Sequence, residues 1–300
     1  MRGQATTWSL VTCVVGGDER AAARRDDGTI VALPPPLCDA SGVMALLADW
    51  GATAALLGSW SPDDATVIAG AELLAPLRFP NKVLCAGANY RKHVAEMGVA
   101  KPGSEWEPWF FLKTPTTTVV AGHGPVTIDP DPAACIDWEG ELGVVIGRAG
   151  RNIAAHEARG HVAGYVVLND VSARGLHHRP SAPAPPFAYD WIASKSQDTF
   201  CPMGPGITPD WLIDDPNDLR LRLWVNGEIQ QDESTSDMIL DTWALVAGAS
   251  RWVTLEPGDV IATGTPSGVG APRGKFLKPG DVVRIEIDGL GVIEHPIVAA

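Results

Sequence analysis

Apolar and polar positions alternate over much of this chain, and the clearest run is Ile136 to Ile146. There Leu142, Val144 and Ile146 alternate with Gly143 and Val145. A period of two marks a strand rather than a helix. Residues 8–16 and 29–33 read as strands joined by a charged turn, and Val43 to Trp50 has the apolar spacing of a helix. Val83 to Gly87 is a short buried strand, followed by a helical turn, Arg91 to Gly98, that a glycine stops. Phe110 to Pro115 returns to strand and turn, and His161 to Asp170 is a further apolar strand. The alternation of Leu219 to Val225 breaks at Asn226-Gly227 and resumes, which predicts a hairpin. Residues 238–252 have helical spacing, and strands 282–288 and 290–297 flank an Asp288-Gly289 turn. Many strands with few helices predict an α+β, β-rich fold. A change of texture near Lys82 divides the chain into a small N-terminal α/β domain, residues 1–75, and a larger domain, residues 76–300.

The strands carry acids in places where apolar residues would be expected. Glu139 and Glu141 lie two apart, so they share one strand face, about 7 Å from each other. Either this face is wet, as on an edge strand, or a cation sits between the two carboxylates. Asp170 ends a second apolar strand and supplies a third oxygen donor. Three such donors leave open positions for water and substrate on a hard divalent ion, as catalysis requires. His93 and Glu96 stand three apart on a helical turn, either a solvated pair or a carboxylate orienting a general base. Residues 99–109 form a Pro/Gly-bearing loop with two tryptophans, suited to a lid or to a packed surface loop. A proline-rich insertion at 179–190 precedes Lys195, which reads as lying near the start of a loop. The glycine-rich stretch Glu256 to Gly270 lacks the Lys-Ser/Thr of a phosphate-binding loop.

Composition narrows the partners. Of the 300 residues, 45% are hydrophobic and 20% charged, as in ordinary globular proteins. A net charge of −13 without a Lys/Arg cluster argues against nucleic acid or an anionic membrane as partner. Cysteines 13, 38, 85, 135 and 201 are scattered and odd in number, which fits a reducing compartment. The first residues lack a signal peptide's basic and long apolar regions, and no apolar run reaches membrane-spanning length. The expected location is the cytoplasm.

Together, Lys82–Gly98, Phe111–Pro115, Asp137–Gly147, Gly164–Arg174, Lys195–Pro205 and Glu256–Gly270 resemble the fumarylacetoacetate hydrolase family. The Glu-x-Glu followed by Asn-Asp-x-Ser-Ala-Arg is specific to it. The resemblance implies a mixed β-sandwich roll, usually dimeric, that binds Mg²⁺ or Mn²⁺, with Ca²⁺ in some members. It implies Glu139, Glu141 and Asp170 as metal ligands and His93 with Glu96 as an acid/base dyad on a lid. It places Lys195 toward the substrate's oxygens and Thr265, beside Gly264 in the glycine-rich loop, at its carboxylate end; Arg174 belongs to the same substrate-binding set. The implied activity is hydrolysis of a C–C bond in an acylpyruvate- or fumarylacetoacetate-like 2-oxo acid through a metal-stabilised enolate. Decarboxylation or isomerisation of a 2-oxo or 2-hydroxydienoate dicarboxylic acid starts from the same enolate. A catalytically silent metal-binding scaffold is the alternative of a different class. One departure bears on hydrolysis. Seven residues after the aspartate, where hydrolytic members commonly place a glutamine that holds water, this chain has His177, and Gly175 replaces the acid after the arginine. His177 either lines the site or lies on the surface.

Overall fold

The structure, a computed structural model, describes residues 7–98, 103 and 105–300. Its frame is an eleven-stranded mixed sheet facing a five-stranded one. The Glu-bearing strand Gly140–Ile146 lies inside the large sheet, antiparallel to Val162–Asn169 on one side and to Val260–Ala262 on the other. Val260–Ala262 pairs in parallel with Val83–Ala86, which pairs antiparallel with Phe110–Lys113. The five-stranded sheet runs Glu228–Ser234, Arg220–Val225, Val282–Ile287, Gly291–Ala299 and Val126–Ile128, and contains the predicted hairpin. A two-stranded ribbon joins Ile136–Asp137 to Ser172–Ala173. The fold is α+β and β-rich.

The alternation seen in the sequence sorts the Glu strand between two cores. Leu142, Val144 and Ile146 pack with Leu221, Leu223 and Ile285 of the five-stranded sheet. Val145 faces the other way and packs with Val166, Leu168 and the N-terminal Leu10, Leu46 and Leu47. Glu141, two residues from Gly143 and four from Val145, is therefore on the face away from the inter-sheet core. The period of two alone dictates this.

The N-terminal segment differs from its reading at a strand and at a helix. Asp18–Arg25 is a strand in full register with Trp8–Val15, where a charged turn was expected between two strands. Its alanines and charges carry no β-branched signature, and pairing imposes the strand on them. Trp8–Val15 in turn pairs with Cys201–Pro209 through Leu10 and Ile207, so this hairpin extends the large sheet. The helical region is two short helices, Val43–Leu47 and Trp50–Leu57, and the C-terminal helix spans Thr242–Trp252. Among the described residues no helix is long and apolar enough to cross a membrane.

Candidate metal centre and cavity

Glu139, Glu141 and Asp170 each offer a carboxylate oxygen within 4.8 Å of the others, and all three residues are buried. Glu139 follows the ribbon strand, Glu141 lies on the central strand and Asp170 follows Val162–Asn169. Antiparallel pairing across the sheet sets Gly140 opposite Asn169, and the Asp170 N–H donates to the Glu139 carbonyl at 2.8 Å. The Asn169 side chain fixes this corner. Its Oδ1 accepts from the Glu139 N–H at 3.0 Å, and its amide donates to His295 Nε2 at 3.0 Å.

Three cations meet these acids. Lys195 Nζ lies 2.7 Å from Glu139 Oε2 and 2.9 Å from Asp170 Oδ2. Lys113, fully buried, places Nζ 2.6 Å from Asp170 Oδ1 and donates to the Val171 carbonyl at 3.0 Å and to that of Lys195. Arg174 donates from Nε to Asp137 at 3.0 Å and from Nη2 to Glu139. Burial pulls Lys195 toward the neutral form, but Asp170 and Glu139 outweigh it and hold the ammonium. Burial likewise raises Glu139, yet the charges of Lys195 and Arg174 hold its carboxyl far below the usual range. Glu141 goes the other way. Burial, then Asp170 and Glu139, push it well above the usual range, and the charge of Lys195 and the Gly264 N–H at 2.9 Å offset only part of this.

This imbalance tests the fit of a metal. Four carboxyl groups, Asp137, Glu139, Glu141 and Asp170, meet only three cations, Lys113, Lys195 and Arg174. One carboxylate, Glu141, has no cationic partner among the described residues, yet it is 1% exposed. An all-oxygen donor set with surplus negative charge suits a divalent cation, whose binding would keep Glu141 ionised. The residues fit.

A cavity of about 190 Å³ opens onto the three acids. A larger groove of about 400 Å³, bounded by Trp8 and Asp288, contains none of them. The ligand chemistry outweighs the size, and we assign the site to the smaller cavity. His93 and Thr265 line it together with Lys195 and Arg174. His93 projects from the helix Arg91–Glu96, and its Nδ1 is 2.6 Å from Glu96 Oε1. Glu96 stands behind the imidazole and is pinned by the Gly268 N–H at 3.0 Å. With Nδ1–H donated to the carboxylate, Nε2 remains as the acceptor. The Thr265 hydroxyl donates to the Gly140 carbonyl at 2.9 Å and accepts from Gln231 at 2.8 Å, while Gly264 acts through its backbone on Glu141.

Two expectations need correction. Lys195 is the last residue of a helix, Trp191–Lys195, rather than part of a loop; the Asp190 side chain caps it by accepting from the Ala193 N–H at 2.9 Å. His177 does not line the cavity. Its ring packs edge-on against Trp191, 4.2 Å between centroids, and the indole rather than the imidazole lines the cavity. Gly175 has a physical reason: a Cβ there would sit 1.8 Å from the Ala133 carbonyl oxygen. Sequence reasoning missed Lys113, Asp137 and the aromatic wall of Trp109, Phe111 and Trp191. Of the expected lid, residues 99–102 and 104 lie outside the described residues.

Comparison with known proteins agrees with this geometry. Residues 82–298 match the family model for the fumarylacetoacetate (FAA) hydrolase C-terminal region. The oxaloacetate tautomerase fahd2, mitochondrial, of Xenopus laevis is 44% identical over 228 residues, 75% of this chain and 68% of that protein. A fumarylacetoacetate hydrolase structure from Exiguobacterium antarcticum has a TM-score of 0.80 at 31% identity, covering 98% of this chain and all of that one. The maleylpyruvate hydrolase of Sphingobium sp. SYK-6, solved with manganese(II) and pyruvate, has a TM-score of 0.73 at 30% identity over 97% and 99% of the two chains. With the acid triad, Lys195 and His93 at one cavity and residues 82–298 matching the family model, this chain belongs to the fumarylacetoacetate hydrolase family.

Proposed function

We propose that this protein is a metal-dependent enzyme of 2-oxo acids whose chemical step is proton transfer at the carbon beside the keto group. The carrying observation is that the His93–Glu96 dyad and the acid triad face one cavity. Glu139, Glu141 and Asp170 would hold Mg²⁺ or Mn²⁺, with Ca²⁺ a third candidate. Bound there, such an ion supplies Lewis-acid polarisation of the keto group. Lys195, held cationic by Asp170 and Glu139, offers an N–H and a positive charge to the oxygen that becomes anionic on enolisation. His93 takes the proton at Nε2, and Glu96 orients the ring and stabilises the imidazolium that forms. Delivering that proton to the enolate oxygen completes the tautomerisation to the enol, and the reverse path moves a proton from the enol oxygen back to the carbon.

Hydrolysis of the adjacent C–C bond is the second reading, favoured by the likeness to a maleylpyruvate hydrolase that covers nearly the whole chain. It needs one group more, a holder for water against the distal carbonyl. His177, at the position where family hydrolases place a glutamine, is withdrawn behind Trp191. Proton transfer needs only the dyad and the cation, so the geometry favours it. Ketonisation of a 2-oxo acid enol, followed by ultraviolet absorbance, against pyruvate release from an acylpyruvate separates the two. Fast ketonisation with slow release supports the first reading; the reverse overturns it. A homodimer in the cytoplasm completes the proposal, and light scattering that gives a single chain mass would remove the dimer from it.

A further inference from the structure

The far side of the cavity has a different chemistry from the acid side. Trp109, Phe111 and Trp191 meet there, with ring centroids 4.7 Å apart for Trp109–Trp191 and 5.0 Å for Phe111–Trp191. The backbone is shaped for this wall. A Cβ at Gly87 would lie 2.3 Å from Trp109 Cε3, and the Gly87 N–H donates to the Trp109 carbonyl at 3.0 Å. Met97 extends the apolar surface. Among the described residues both cations lining the cavity are already engaged, Lys195 with Glu139 and Asp170 and Arg174 with Asp137 and Glu139, and His93 is committed to Glu96.

The charge count points the same way. With Glu96 beside a neutral His93, five carboxylates face three cations, and a divalent ion only balances the two surplus negative charges. One substrate carboxylate can ligate the ion itself. A second would enter a low-dielectric cavity without a counter-charge among the described residues. We propose that the substrate is a monocarboxylate 2-oxo acid whose distal end is aromatic or otherwise apolar, seated against Trp109, Phe111 and Trp191. This rests on the reading of the cavity as a 2-oxo acid site. It sets the chain apart from a relative named for oxaloacetate, a dicarboxylate.

Binding tests it without turnover. Pyruvate, phenylpyruvate and oxaloacetate are each titrated calorimetrically into the Mn²⁺-loaded protein. Phenylpyruvate should bind roughly 10-fold or more tighter than oxaloacetate, the scale of burying one ring against aromatic neighbours. Trp191→Leu and, as an independent variant, Trp109→Leu should each shrink that preference severalfold while pyruvate affinity stays within about threefold. Tighter binding of oxaloacetate, or a preference unchanged in both variants, overturns the proposal and leaves the 2-oxo acid reading standing. If pyruvate itself does not bind, that reading fails and the proposal with it.

Discussion

The two ends of the cavity are built on opposite principles. The acid end is fully buried and over-determined: Glu139 alone is held by Lys195, by Arg174 and, through its backbone, by Asn169. Among the described residues the aromatic end has no such bonding. Trp109 is 47% exposed and is held by ring contacts and by a backbone that leaves it room. Charges taken out of water need partners in fixed geometry, whereas ring packing tolerates adjustment. On the function proposed above, the first end would fix the position of the reacting atoms. The second is free to select what is attached to them.

The sharpest way to break this comparison is at Lys113. Removing one member of a buried ion pair typically costs about 3–5 kcal/mol, because the other charge is left uncompensated. Lys113→Met should therefore lower stability by that order in urea unfolding. A loss below about 1 kcal/mol would mean that the acid end is not over-determined.

Acid should attack the same end from beneath. Burial depresses His295 to about 4, below its ordinary range. The unfolded chain thus takes the proton more readily than the folded one. Stability is intact above about pH 6.5 and is lost as the pH falls from there through 4. The expected loss is about 3 kcal/mol, since each pKa unit corresponds to 1.36 kcal/mol. His295→Gln should flatten the difference between urea midpoints at pH 7 and pH 4.5; an unchanged slope would assign the acid sensitivity elsewhere.

At the mouth between the two ends, His93→Ala should lower kcat roughly 10²-fold, the scale of a general base, with metal affinity unaltered. An unaffected kcat would remove the dyad from the mechanism. The smallest stability effect belongs to the aromatic wall, where Trp109→Leu should cost only about 1 kcal/mol, on the scale of the pair contacts it loses. A cost as large as that at Lys113 would erase the contrast.

The same contrast governs how much could be read from the sequence. Glu139, Glu141 and Asp170 were legible because an acid on an apolar strand contradicts its surroundings, and a period of two orients it without further knowledge. Lys113, at the end of Phe-Phe-Leu-Lys, carries the same signal in the opposite charge, but a lone lysine closing a strand is ordinarily a solvated end. The wall was not legible. Trp109 and Trp191 are 82 positions apart, and a tryptophan announces packing without saying against what. His177 was read from its spacing after Asp170, which does not reveal that Trp191 would fold in front of it. Asp18–Arg25 became a strand through its partner alone, a tertiary effect absent from its own composition.

The central claim is that three carboxylates from neighbouring strands hold a divalent ion. The direct measurement is calorimetric titration of Mn²⁺ into the wild-type protein and into Glu141→Ala, with circular dichroism to confirm that both are folded. The account predicts one site in the wild type and an affinity loss in the variant beyond the roughly 10–100-fold that loss of an outer-shell partner costs. Equal affinity in both proteins, or no binding to the folded wild type, would contradict it.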